Sequence, residues 1–319
     1  MGAVNGDAVR TIALIGAGTM GPGMAAVFAC HGFEVRLADV RPEMLERAQA
    51  AIETVYATLA GGGMLAAEAV AAARPRVRFT LEAAEAARGA DFLVEAIPER
   101  ADLKQRLFRE IEPLVSDQTI LASNTSGIPI TALGRAVARP ERVIGMHWSN
   151  PPHLIPVVEV VRGAQTSQAT VDATRRVVER LGMIPVLVRR DVPGFVENRI
   201  LYAIMREALH LLESGIASAE DIDTIAKWGI GYKLAVIGPL ELLDVAGLDI
   251  YQSVASYLNA DLSSRADVSP LITRKVEAGE LGIKTGRGLF DYSPEQIPRL
   301  MQRRMRLLLA TRKALAAPA

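Results

Sequence analysis

The sequence predicts an α/β fold: an N-terminal Rossmann-type domain with a mainly parallel sheet, then an all-helical C-terminal domain. Three observations predict it. Short apolar runs alternate with helix-period stretches through the first half of the chain. A glycine-rich turn joins the first apolar run to the first helical stretch. From Asp191 onward apolar residues recur at helical spacing, and no strand series follows. The boundary is expected near residue 190, just before "DVPG", which gives domains over 1–190 and 191–319.

Taken in order, "TIALIG" reads as the first buried strand. The stretch "TIALIGAGTMGPGMA" continues it and sets Gly16, Gly18 and Gly21 in G-x-G-x-x-G spacing, with Thr19 and Met20 inside the turn. The first glycine permits the turn, the second lets a pyrophosphate approach the backbone, and the third allows close helix–strand packing. The free N–H groups of the helix start then face the phosphates. "FEVRLADV" reads as the next strand and ends at Asp39, 18 residues past Gly21. A carboxylate there binds a ribose diol and repels a 2′-phosphate, so NAD is expected rather than NADP, a preference that nearby Arg41 would soften. Ala-rich tracts around 66–73 and 82–87 have helical composition, and "DFLVEAIPE", "TILASNTS" and "RVIGMHW" complete the strand-like runs. Ligands of such sheets bind outside the strand C-termini. In the second half, "FVENRILYAIMREALHLLESG" reads as a helix closed by Gly215.

The chain has 319 residues, half of them apolar and 23% charged, enough for a substantial core without disulfides or metals. Lys plus Arg equals Asp plus Glu, at 36 each, a balance that argues against a nucleic-acid binder. The lone cysteine, Cys30, forms no internal disulfide; its small apolar neighbours mark a core residue rather than a nucleophile. No segment reads as membrane-spanning, and the first ten residues lack a signal-peptide run and read as a loose tail. A cytoplasmic protein acting on a small molecule, with neither nucleic-acid nor membrane partner, is expected.

The chemistry concentrates in "GMHWSNPPHLIPVVEVV", residues 145–161. Hydride transfer to a nicotinamide requires a substrate hydroxyl to lose its proton, a task suited to a histidine held by a carboxylate. His147 ends a strand-like run, and Glu159 sits in "IPVVEVV", a costly place for an unpaired carboxylate. Pairing the two would solve both problems. Zinc ligation by His147, His153 and Glu159 is chemically possible, but the six-residue spacings fit neither a helical i, i+4 pair nor a strand pair, so no metal is expected.

These segments, with "VEAIPE", "ASNTSGIPI", "DVPGFVENRIL" and "GIKTGRGLFDY", resemble the 3-hydroxyacyl-CoA dehydrogenase family from about residue 10 to 293. The resemblance implies His147 as general base, Glu159 as its orienting partner, and Ser126 and Asn198 as hydrogen-bond partners near the reacting carbon. It also implies that Glu99, Lys104 and Asn150 meet the cofactor, and that the protein is a homodimer through its helical domain. Without it, Ser126 reads as a turn residue, Asn198 as a cap or solvent-facing amide, and Lys104 as a solvated lysine. His153 reads as a loop or pocket residue, and His31 and His210 carry no motif. The β-hydroxyacid dehydrogenases share the glycine loop but rely on a helix-start lysine, and "RDVPGFVENRI" has none.

The family's CoA-using members carry a lysine-rich helical hairpin after the second strand. Here residues 48–73 contain neither Lys nor Arg, although Arg47, Arg74, Arg76 and Arg78 flank the gap. CoA phosphates without cations would lose charge-assisted hydrogen bonds. "WGIGYKLAVIGP" likewise resembles the branch that acts on free acids such as carnitine, gulonate or a formyl-pyridine carboxylate. Arg199 and Lys233 are candidates for a substrate carboxylate, with ordinary surface charge as the plainer reading. The expected activity is NAD-dependent oxidation of a small carboxylate-bearing alcohol or aldehyde. One alternative is an L-3-hydroxyacyl-CoA dehydrogenase; another, of a different class, is a non-catalytic NAD-binding structural protein.

Overall fold

The computed structural model describes residues 5–316. Its first part runs β1 (Thr11–Ile15), α1 (Gly21–Cys30), β2 (Glu34–Ala38), α2 (Pro42–Gly61), α3 (Ala67–Ala73), β3 (Val77–Thr80), α4 (Ala83–Ala87) and β4 (Phe92–Glu95). It continues with α5 (Ala101–Ile111), β5 (Ile120–Ser123), α6 (Ile130–Gly134), β6 (Val143–Trp148), β7 (Val157–Val161), α7 (Gln168–Arg180) and β8 (Ile184–Val188). All eight strands join one sheet in the order β3-β2-β1-β4-β5-β6-β7-β8. Every pairing is parallel except β6 with β7.

The five apolar runs singled out in the sequence became β1, β2, β4, β5 and β6. Strands β4, β5 and β6 are buried at every position, the signature of parallel strands covered on both faces. Three strands were not among those runs. β3 and β8 pair on one side only and are correspondingly less buried. β7 carries Glu159 and turns antiparallel to β6 after the eight-residue connection over 149–156. On one face Ile15, Leu93, Phe108, Leu121 and Phe195 share a buried cluster. Elsewhere in the core the Phe28 ring meets Phe33 and Trp148, each at 5.6 Å between centroids.

Residues 5–10 correct the expectation of a loose tail. Arg180 Nη1 donates to the carbonyls of Gly6 (2.7 Å) and Val9 (2.8 Å), Asp7 pairs with Arg176 at 2.6 Å, and Gly6 packs against Ala173. The rest of that expectation, residues 1–4, lies outside the described residues, as do residues 317–319.

The chain divides into compact units spanning Met1–Asn198 and Arg199–Ala319. The division falls at the start of α8 (Glu197–Glu213), which ends before Gly215 at φ +66°. The second unit continues through α9 (Ala219–Ile225), a π-helical stretch over Ala226–Gly231, α10 (Tyr232–Leu234), α11 (Pro239–Ala246), α12 (Leu248–Asp261), α13 (Pro270–Glu277) and α14 (Gln296–Ala316). Ser218 and Ser269 cap α9 and α13, their hydroxyls accepting from Asp221 N and Ile272 N. Among its described residues only isolated bridges at Gly282, Arg287 and Asp291 are β-like. No helix among the described residues is long and apolar enough to cross a membrane.

Candidate active site

The glycine turn behaves as its spacing predicts. Gly16 has φ +113°, and a Cβ there would lie 2.4 Å from the Ala96 carbonyl oxygen, on the neighbouring strand's exit. A Cβ on Gly21 would lie 2.1 Å from the Gly16 oxygen. At Gly18 a Cβ would meet nothing within 4 Å, so the backbone there is open to a ligand. Gly16, Gly18, Thr19 and Met20 line a cleft of about 920 Å³ that also reaches Asp39, Glu99 and Ser126. The cleft lies past the C-terminal ends of β1, β2, β4 and β5, where parallel sheets bind ligands.

Asp39 follows β2 directly. One of its oxygens accepts from Ala17 N at 3.0 Å and the other from Arg41 N at 3.1 Å. Those bonds hold the carboxylate at the cleft, and Arg41 Nε stands 3.9 Å from it. The site fits a dinucleotide: an open glycine backbone for the pyrophosphate, a helix N-terminus behind it, and a fixed carboxylate for the ribose diol.

Glu99 organises the opposite wall. Its Oε1 accepts from the Thr125 hydroxyl (2.5 Å), Ser126 N (2.9 Å) and Gly127 N (3.1 Å). Burial alone would raise this carboxyl, but those hydrogen bonds and the Lys104 ammonium hold it below the usual carboxylate range. Lys104 is not the solvated lysine that its helical setting suggested: it is 1% exposed. Its Nζ donates to Glu95 at 2.5 Å and to the Ile97 carbonyl at 3.1 Å, and stands 3.4 Å from Glu99. Lys104 therefore reaches the cleft through Glu99. Glu95 went unnoticed in the sequence, although a carboxylate in "DFLVEAIPE" poses the same problem as Glu159.

His147 and Glu159 stand directly opposite each other on β6 and β7, the register that puts two side chains on one face about 5 Å apart. His147 Nδ1 and Glu159 Oε2 are 2.8 Å apart. Glu159 Oε1 accepts from Val196 N (2.9 Å) and Glu197 N (3.1 Å), at the start of α8. Burial would raise the Glu159 carboxyl; His147 and the two backbone N–H donors outweigh it and hold it below its ordinary value. The Phe195 ring packs edge-on to the imidazole at 5.7 Å between centroids. An imidazole fixed in this way through Nδ1 presents Nε2 as a proton acceptor.

Asn198, the third residue of this turn, donates from Nδ2 to the Ser126 carbonyl at 3.3 Å. His147, Glu159, Ser126 and Asn198 thus belong to one connected region of the first unit. Asn150, the second residue of the connection from β6, has a cis bond to Pro151, and with His153 it lines a smaller cavity of about 410 Å³ beside Gly18 and Thr19. His153 is buried, packed against Gly23 of α1. Among the described residues, the three possible metal ligands within 4.8 Å of one another are His147, Glu159 and Glu197, with Glu197 standing where the sequence had offered His153. Cys30 is half-buried rather than a full core residue, and burial pushes its thiol up to about 11, which leaves it a poor nucleophile.

Comparison with known proteins gives the family. Family models for the NAD-binding and C-terminal domains of 3-hydroxyacyl-CoA dehydrogenase match residues 11–192 and 194–292. The 5-formyl-3-hydroxy-2-methylpyridine 4-carboxylate 5-dehydrogenase of Mesorhizobium japonicum is 50% identical over 307 residues, 96% of this chain and 98% of that one. A probable 3-hydroxybutyryl-CoA dehydrogenase of Deinococcus radiodurans is 41% identical over 88% of this chain and 99% of its own. A crystal structure of the pyridine-aldehyde enzyme, described as an NAD+-dependent dismutase, matches at TM-score 0.92 and 49% identity, over 98% of this chain and 100% of that one. The (S)-3-hydroxybutyryl-CoA dehydrogenase of Ralstonia eutropha matches at TM-score 0.73 and 36% identity, over 90% and 100%. With matches to both halves in sequence order, the chain belongs to the 3-hydroxyacyl-CoA dehydrogenase family and is an NAD-dependent dehydrogenase.

Proposed function

We propose that the protein oxidises a small carboxylate-bearing aldehyde, of the 5-formyl-3-hydroxy-2-methylpyridine 4-carboxylate type, with His147 as general base and Glu159 as its orienting partner. The observation that carries the chemistry is the 2.8 Å contact between His147 and Glu159 across the β6–β7 hairpin. Bound NAD supplies an acceptor for the hydride. Gly16, Gly18, Thr19, Met20 and Gly21 hold its pyrophosphate, Asp39 its ribose, and Glu99, braced by Lys104, shapes the wall by Ser126. Asn150 borders the same loop.

Water adds to the aldehyde to give a hydrate. His147 takes a proton from one hydroxyl, the carbon's hydrogen departs with its electron pair, and a carboxyl group remains. Ser126 and Asn198 hold the substrate oxygens during the transfer. In the opposite direction His147 returns the proton to the oxygen of a second aldehyde as hydride reaches its carbon, giving the alcohol. The sum is two aldehydes and one water to one acid and one alcohol, the dismutation ascribed to the related enzyme.

The alternative, a 3-hydroxyacyl-CoA dehydrogenase, draws on relatives of that name. Against it stands a sparse cation surface, with Arg47 and Arg78 exposed beside the gap. Residues 48–73, in α2 and α3, lack Lys and Arg. Of the flanking arginines, Arg74 is held by both oxygens of Glu53 at 2.9–3.1 Å, and Arg76 donates to Gly32 O at 3.1 Å. CoA phosphates would have to compete with those partners.

The helical second unit is assigned to a homodimer, and the protein to the cytoplasm. Its exposed Trp228, Tyr232, Val236, Leu240 and Val245 support the dimer, since so much uncovered apolar surface is unusual in a monomer.

Product analysis and absorbance at 340 nm together test the reading. The pyridine aldehyde with a catalytic amount of NAD is expected to give acid and alcohol in equal amounts with little net NADH, because the second aldehyde reoxidises it. 3-Hydroxybutyryl-CoA with NAD is expected to give almost no NADH; a higher kcat/KM for the CoA ester would overturn the substrate assignment. His147→Gln is expected to lower turnover by at least about a hundredfold, with NAD affinity within about twofold of the parent.

A further inference from the structure

Glu197 has no part in the reading above, yet it stands in the middle of the acid–base group. Its Oε2 accepts from the hydroxyl of Ser149, a buried residue two positions past His147 on the same strand exit. Its backbone N–H donates to Glu159 Oε1 at 3.1 Å. A ring nitrogen of His147 and one carboxylate oxygen each of Glu159 and Glu197 lie within 4.8 Å of one another. One imidazole is therefore faced by two carboxylates from different elements, Glu159 from β7 and Glu197 from α8. Only the first is its hydrogen-bond partner. The remaining ring beside it, Phe195, is apolar and lowers the local screening.

We propose that Glu197 is a positioning residue for the proton transfer, acting through His147 in two ways. Through Ser149 it ties the strand exit that carries His147 to the first turn of α8, from which Asn198 also projects. Through its charge it favours the imidazolium that forms when His147 takes the substrate proton, adding to the effect of Glu159. The inference rests on the assignment of His147 as base. Glu197 is half-buried, so its charge is neither lost to solvent nor left without a donor, because Ser149 satisfies one oxygen.

The sign of the effect follows from electrostatics. Removing a negative charge beside the imidazole disfavours its protonated form. His147 then stays neutral, and competent as a base, to lower pH, while becoming a weaker base. A residue that merely supported the fold would lower the rate without moving the profile.

The test is kcat/KM against pH in the oxidative direction, for whichever of the pyridine aldehyde and 3-hydroxybutyryl-CoA turns over. Glu197→Gln is expected to lower kcat by roughly five- to fiftyfold and move the acid limb down by at least about half a pH unit. Ser149→Ala should lower kcat less and leave the limb in place. Glu197→Asp, which keeps the charge, should hold the limb at its parental position whatever it does to kcat. An unmoved limb in Glu197→Gln, or a displaced one in Glu197→Asp, overturns the proposal. The second criterion stands even if Glu197→Gln fails to fold. Near-normal turnover in His147→Gln would instead overturn the base assignment itself, so the two failures are distinguishable.

Discussion

Glu159 shows how much one side chain can be asked to do. One oxygen fixes His147, the other gathers two N–H groups at the start of α8, and its placement in an apolar strand costs little because each oxygen has a partner. Glu99 does the same for the Thr125–Gly127 loop. Both carboxyls titrate below their ordinary value of 4.5 in the folded protein. A carboxylate with a lowered folded pKa contributes stability that is complete above its unfolded pKa and disappears as pH falls through the folded value. Replacing Glu99 by Gln is therefore expected to lower the melting temperature at pH 7 by about a degree or two, a shift kept small because the carboxylate is partly exposed and screened by solvent. The gap should close as the pH is taken below about 4.5; a gap that persists at pH 3 would show that the carboxylate's charge is not what holds the loop. Residue type and setting were enough to single out His147 and Glu159 in the sequence. Glu197 gave no such signal, because its neighbours Ser149 and Glu159 are 48 and 38 residues away.

Among the elements, the β1–α1 turn separates two glycines that look alike in sequence. Gly16 is required by the fold: its φ of +113° and a would-be Cβ at 2.4 Å from a backbone oxygen leave no room for a side chain. Gly18 is surrounded by open space. Gly16→Ala is expected to cost more than about 3 kcal/mol, the range of strained backbone and steric overlap together, and the protein should be poorly soluble or unfolded. Gly18→Ala should melt within about 2 °C of the parent, well under the shift of a 1 kcal/mol change, yet raise KM for NAD about tenfold or more. Equal melting temperatures for the two variants would contradict this division. Periodicity found the strands buried on both faces, whose apolar runs are continuous. It did not single out β3 and β8, whose partly exposed residues lack such a run. β7 lacks a continuous run because Glu159 interrupts it at the middle position.

At the scale of the whole chain, the two units differ in how they bury themselves. The first encloses the sheet with residues such as Ile12, Leu14 and Phe92 at 0% exposure. In the second, Ile222, Ser269 and Gly288 are the buried residues among those described. Helices with so little enclosed apolar surface draw their stability from contacts beyond themselves. A second copy is the proposed source, so light scattering after size exclusion should give twice the 34.2 kDa chain mass, persisting to nanomolar dilution. Charged replacements at Trp228 and Tyr232 together should lower that mass or unfold the second unit. A stable monomer of the parent would refute the assignment.

The sequence by itself determined the class of the fold, the dinucleotide turn, the cofactor and the family, because each rests on local pattern: period, glycine spacing, and motifs in a fixed order. It also brought out His147 and Glu159, the proposed base and its partner, since a hairpin returns the chain after only 12 residues. What only the tertiary structure decided were the contacts that span the fold. Lys104 turned out to be a buried ammonium serving Glu99 through an ion pair. Arg74 and Arg76 were found engaged by Glu53 and Gly32. Glu197 proved to stand against His147. A side chain's charge can be read from its letter, but its partner is set by packing among distant segments, and the partner decides what the charge does.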